Sequence, residues 1–190
     1  ACLLKPRILP RTANPLPPEM TNNVVYMRKI EEQKRSDNFR KVIRESVISA
    51  TDFETDTVRS LYLWWEGFQP ALPRRADFEI SKHWKIASSL YLLEVLGPGR
   101  YLNRLNGETV VDIVGTSLRG HEITQQDPLP EIRLLSDYLD TLVAGKTARR
   151  CSGVADVFGK EFLSFETVDC PLTNEKGDIS FIIGAMSLTS

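Results

Sequence analysis

The sequence predicts an α+β fold, with a five-stranded antiparallel sheet, helices on one of its faces, and an N-terminal helical extension in front. Three observations carry this. Two apolar runs, residues 88–96 and 100–106, flank Gly97-Pro98-Gly99, the composition of a tight hairpin. Three further strand-like runs, 148–158, 161–172 and 178–188, close the chain. Between the pair and the triplet lies an amphipathic helical stretch over 131–144. Two antiparallel strands, a helical crossing and a three-strand meander make one layered sheet.

Residues 1–19 carry five prolines and no apolar run of signal-peptide type, and read as a disordered or non-native lead ahead of Met20. Residues 20–54 read as a charged extension, partly helical, because Ile30, Phe39, Val42, Ile43 and Val47 fall at near-helical spacing. The domain proper is expected over 55–190. Its first helix spans 56–69, where Val58, Leu61, Tyr62, Trp65 and Phe68 recur at spacings of three and four, with Thr55 or Asp56 as the cap and Pro70 as the stop. Trp64 and Trp65 are adjacent, so one of them leaves the apolar face. Residues 79–87, with His83 and Trp84, form a short helical segment, and 108–114 another, closed by Gly115. In the helix over 131–144 the stripe is Ile132, Leu135, Leu139 and Leu142. The closing "ISFIIGAMSL" is nearly continuous in apolar and small residues, as a central strand should be.

Composition narrows the function. Of 190 residues, 42% are hydrophobic and 26% charged, ordinary for a globular domain able to bury its own core. Lys+Arg is 24 and Asp+Glu 25, so no basic excess points to nucleic acid. Cys2, Cys151 and Cys170 form no C-x-x-C pair and no cluster with histidine, so no metal site is expected. An odd cysteine count fits a reducing, cytoplasmic compartment. No apolar run approaches the roughly 18 residues that span a bilayer.

Few residues suggest chemistry. Arg104 stands inside an apolar strand, just before the Asn106-Gly107 turn. It either pins strand to helix through Glu94, Asp112 or Asp77, or takes a ligand carboxylate through its planar fork. Cys151 lies beside Arg149 and Arg150, but strand neighbours face opposite ways, so it reads as a structural thiol. Glu161 and Glu166 are carboxylates with no site around them. There is no Gly-x-Ser-x-Gly, no phosphate loop with a Lys and no His-Glu-x-x-His, so catalysis is not expected.

Three stretches resemble one family in order and spacing. "LYLWWEGFQPALPRRADFEIS" is similar to a Trp-bearing helix followed by an L-P-x-R-x-D connector. "YLNRLNGETVVDIVGTSLRGHEI" is similar to a strand ending in Arg, two residues and Gly, with a later Gly-x-x-Leu-x-Gly. "EFLSFETVDCPLTNEKGDISFIIGAMS" is similar to a terminal hairpin with Pro-Leu before its turn. Over residues 58–188 the chain resembles the PAS-like domain family of short, mostly stand-alone alphaproteobacterial proteins. It departs from the family at Asn103, Asn106 and Glu108, where an aromatic or apolar residue, a small residue and Thr are usual.

The resemblance implies a bacterial sensor that binds an unknown small organic ligand between sheet and helices. Transmission would run through the N-terminal helix and a homodimer or signalling partner. Arg104, Tyr101, Asn106, Gly107 and His121 are the ligand-binding expectations, and Leu61, Trp64, Trp65 and Phe68 the dimer contacts. No cofactor is expected. His121 lacks the flanking features of a haem ligand, and the Asn-Cys-Arg-aromatic-Gln signature of flavin photosensors is absent. The alternative is a ligand-free dimerisation module whose pocket is packed by its own side chains.

Overall fold

The computed structural model describes residues 37–157 and 160–189. They build one antiparallel sheet of seven strands: β1 (Phe39–Ser46), β2 (Leu90–Gly97), β3 (Arg100–Asn106), β4 (Glu122–Thr124), β5 (Arg149–Val157), β6 (Lys160–Thr173) and β7 (Ile179–Leu188). Their order across the sheet is β1-β5-β6-β7-β2-β3-β4. The five expected strands are its middle. The correction is at the edges, where β4 pairs with β3 and β1 pairs with β5. The apolar β7 is the central strand, as its composition required.

β1 replaces the helical reading over Phe39–Ser46, while Ala50–Asp52 forms a short 3-10 helix. The spacing of Phe39, Val42, Ile43 and Val47 suited a helix, but β5 offers a free row of backbone donors and acceptors. Pairing with it runs from Phe39 opposite Ala155 to Ser46 opposite Arg149. β-branched Val42 and Ile43 suit the pleat, and tertiary pairing overrides a thin helical face. Gly153 lets the two backbones meet: a Cβ there would fall 1.8 Å from the Lys41 carbonyl oxygen. The lead at 1–19 and the extension through residue 36 lie outside the described residues.

Helix α1 (Asp56–Glu66) starts where Thr55 Oγ1 accepts from the Val58 amide. Val58, Leu61, Tyr62 and Trp65 point into the sheet, against Val168, Cys170, Leu172, Ile183 and Ala185. Trp65 Nε1 donates to the Pro171 carbonyl at 3.0 Å. Trp64 is the tryptophan that leaves the stripe, lying edge-on to Phe68 and Phe78. The dimer expectation is therefore corrected for two residues. Leu61 and Trp65 are core, and a side chain at 0% or 4% exposure offers nothing to a second copy. Phe68 is exposed and Trp64 half-buried.

The opposite face carries α2 (Glu108–Val114) and α3 (Pro130–Gly145). Gly107 opens α2 in contact with the preceding segment, since a Cβ would meet the Ser88 carbonyl oxygen at 2.1 Å; Gly115 closes it at φ +83°. Val110, Ile113, Leu139 and Leu142 pack with Leu93, Phe165, Ile182 and Met186. Burying a side chain such as Leu142 contributes about 1.5–3 kcal/mol. Helices thus cover both faces of the sheet, not one. The strands explain why. β7 sends Ile183 and Ala185 one way and Ile182 and Met186 the other, so neither face can be left wet. No helix among the described residues is long and apolar enough to cross a membrane.

Candidate functional site

Between the sheet and α2–α3 lies a cavity of about 400 Å³. Its wall is mostly apolar. Val110 and Val114 come from α2, Ile132 and Leu135 from α3, and Leu93, Phe165 and Met186 from the sheet. β1 closes one side with Phe39 and Val42, the Phe39 ring lying 4.9 Å from that of Phe165. Strand parity sets this up: on β6, Phe165, Thr167 and Asp169 line the cavity, while Glu166 and Val168 face α1.

Polar groups enter the apolar wall at two places. At the first, Asp169 on β6 is buried and accepts from two hydroxyls, Tyr91 at 2.6 Å and Tyr138 at 2.7 Å. Burial pushes the Asp169 carboxyl up, and the two tyrosine hydroxyls pull it back. Burial and Asp169 push Tyr91 and Tyr138 up as well, so both remain donors. Tyr91 takes its position because residue 184 is glycine: a Cβ there would lie 2.0 Å from the Tyr91 ring.

Arg44 on β1 lies over the Tyr138 ring at 4.3 Å and donates from Nη1 to the Leu134 carbonyl at 3.0 Å. Its Nε is buried without a hydrogen-bond partner, as is Nε of Arg149, whose guanidinium sits 5.7 Å from the same ring. Cys151 on β5 stands directly opposite Arg44 in the register. Burial pushes its thiol up to about 11, so it is neutral and inert near pH 7. Arg150 turns to the other face, as alternation required.

At the second place, Asn103 on β3 lines the cavity at 3% exposure, and Asn106 ends the same strand. Neither side-chain oxygen meets a hydrogen-bond partner. A buried amide left unpaired costs about 1–3 kcal/mol. Among the described residues, no group of His, Cys, Asp and Glu could hold a metal ion.

Of the five expected ligand residues, the structure brings Asn106 to the cavity. Arg104 takes the first of its two expected roles, the ion pair with Glu94, and its place among the ligand residues is corrected. Tyr101 and Asn103 face inward, so Arg104 faces out, half-exposed and bonded to Glu94 across the β2–β3 pair. Arg104→Ala is expected to cost less than about 1 kcal/mol in a urea melt, the range of an exposed ion pair. A loss above 2 kcal/mol would contradict this placement. Tyr101 is buried beside the cavity, with its hydroxyl spent on Asp140 at 2.5 Å. Gly107 is the tight start of α2. His121 is exposed in the loop before β4, and its carbonyl accepts from the Asn103 amide at 3.0 Å. The sequence reading missed Arg44, Tyr91, Tyr138 and Asp169 as lining residues.

A family model described as PAS domain matches residues 54–187. No curated protein matches the chain. Among solved structures, the chain is similar to an RNA-binding light-oxygen-voltage receptor, at 12% identity and a TM-score of 0.45 over 78% of this chain and 38% of that one. It is also similar to the PAS domain of Bordetella pertussis BvgS, at 16% identity and a TM-score of 0.42 over 59% of this chain and 88% of that one. The chain thus spans well under half the length of that receptor.

Proposed function

The chain belongs to the PAS domain family, a family of sensory and signalling modules, and from that premise we propose that it senses a small organic ligand held in the cavity between the sheet and α2–α3. One observation carries the reading: a cavity of about 400 Å³ whose buried polar atoms on Arg44, Asn103 and Asn106 have no protein partner. A self-packed interaction module would fill such a space with its own side chains and leave no polar group unpaired there. Transmission, on this reading, runs through β1 and the chain before it, because β1 is both a wall of the cavity and the exit toward the N-terminus. Chemistry on the ligand is not part of the proposal.

A native mass spectrum of the freshly purified chain, compared with its denatured mass, tests this. Extra mass lost on denaturation is expected, and that mass begins to identify the ligand. A chain without added mass that also takes up no small molecule from a screened set would overturn the reading. The same spectrum reports the homodimer we assign to the outer side of α1, where Leu63 and Phe68 are exposed.

A further inference from the structure

Building on the sensor reading, we infer that the cavity takes a small monocarboxylate with an apolar body, its carboxylate held by Arg44. The apolar wall sets the body. The volume lies at the low end of the roughly 300–1,000 Å³ typical of small-molecule pockets.

The head group follows from charge. Among the described residues, no carboxylate lies within ion-pair distance of Arg44, although its Nε is buried. Nη1 is spent on the Leu134 carbonyl, which leaves the Nε–Nη2 edge, the edge that takes a carboxylate through two parallel bonds. The Cys151 thiol beside it is at most a weak acceptor. Asp169 attracts Arg44 and Arg149 through space but makes an ion pair with neither, and its two oxygens accept the tyrosine hydroxyls. Asp37 and Glu131, the other carboxylates of the lining, have partners of their own. Arg149 adds a second guanidinium on the same ring, so two cations stand against one carboxylate at this end. Arg44 is half-buried as a residue, but its Nε is buried with no hydrogen-bond partner among the described residues, and a ligand carboxylate supplies that partner. The Tyr138 ring fixes the plane of the fork.

Arg44 itself is outside the expected ligand set and precedes the matched region, which begins at residue 54. Arg44 lines the cavity and lacks an ion pair among the described residues, whereas Arg104 faces out and is paired with Glu94.

The test uses two probes of one shape and different charge, 3-phenylpropionate and 3-phenylpropionamide, titrated calorimetrically into the full chain. The acid is expected to bind about ten- to a hundredfold more tightly than the amide. Arg44→Gln should remove that preference, and an acid preference that persists in the folded variant overturns the assignment to Arg44. Should the Gln variant fail to fold, Arg44→Lys keeps the charge without the planar fork and should show a partial loss of preference. Equal binding of acid and amide to the unaltered chain overturns the carboxylate inference and leaves the sensor reading standing. Binding of neither probe overturns the carboxylate inference, and the sensor reading falls with it only if the chain carries no mass of its own and the screened set also yields nothing.

Discussion

Glu166→Ala is expected to destabilise the domain by about 3–5 kcal/mol, the cost of orphaning a buried charge pair. Glu166 is completely buried on the α1 face of β6. Its oxygens accept from the Thr55 amide at 2.6 Å, the Glu54 amide at 3.1 Å, and Arg150 Nε and Nη2 at 3.2 and 3.1 Å. Removing it strands two backbone donors and leaves Arg150, itself mostly buried, with only the exposed Glu45 and Glu54. Glu166→Gln should also be costly, because an amide presents its own donors to donors. Urea unfolding of the two variants checks this, and a loss below 1 kcal/mol would show that water replaces the carboxylate. The bond to Thr55 fixes the entry to α1, so the variant should also lose hydrogen-exchange protection in the first turn of that helix.

Gly153→Ala should release β1 from the sheet. The added Cβ would lie 1.8 Å from the Lys41 carbonyl oxygen and 2.8 Å from its carbon, and backbone cannot yield as a flexible side chain can. Overpacking of this kind costs about 1–3 kcal/mol. Here the strand can escape the strain, because β1 is an edge strand held on one side. The expected result is loss of amide protection across residues 39–46, with β5 and β6 still protected. Phe39 and Arg44 leave with β1, so bound ligand should be lost as well. Hydrogen exchange read by mass spectrometry measures both. A protected β1 with ligand retained would contradict the account of the wall.

What was legible in the sequence was local. The 100–106 strand, the 108–114 helix and its Gly115 stop are where they were expected, because alternation, helical spacing and a left-handed glycine are properties of neighbouring residues. Asn103 stood out as a departure from the family, polar where an aromatic or apolar residue is usual, and it lines the cavity. Strand parity places Arg104 outward with Leu102, a consequence the motif resemblance obscured. β1 was not legible, since an apolar spacing that fits a thin helix also fits a strand, and only the open edge of β5 decides. Nor were the cavity walls, where Tyr91, Tyr138 and Asp169 meet from three separated segments. The covering of both sheet faces was partly visible in β7, whose continuous apolar run already implied a strand buried on two sides.

The position of β1 bears on how such a domain can be excised. The family match begins at residue 54, eight residues beyond the end of β1 at Ser46. A fragment cut at that boundary would keep the fold's signature and lose one wall of its chamber. The ring of Phe165 would lose Phe39, the outer row of β5 would be open to any passing strand, and the cavity would meet bulk water in place of Arg44. A frontier drawn by kinship between sequences therefore runs through the wall of the cavity. Recombinant pieces, chimaeras and fusions of it should begin upstream of residue 37 if they are to keep that wall.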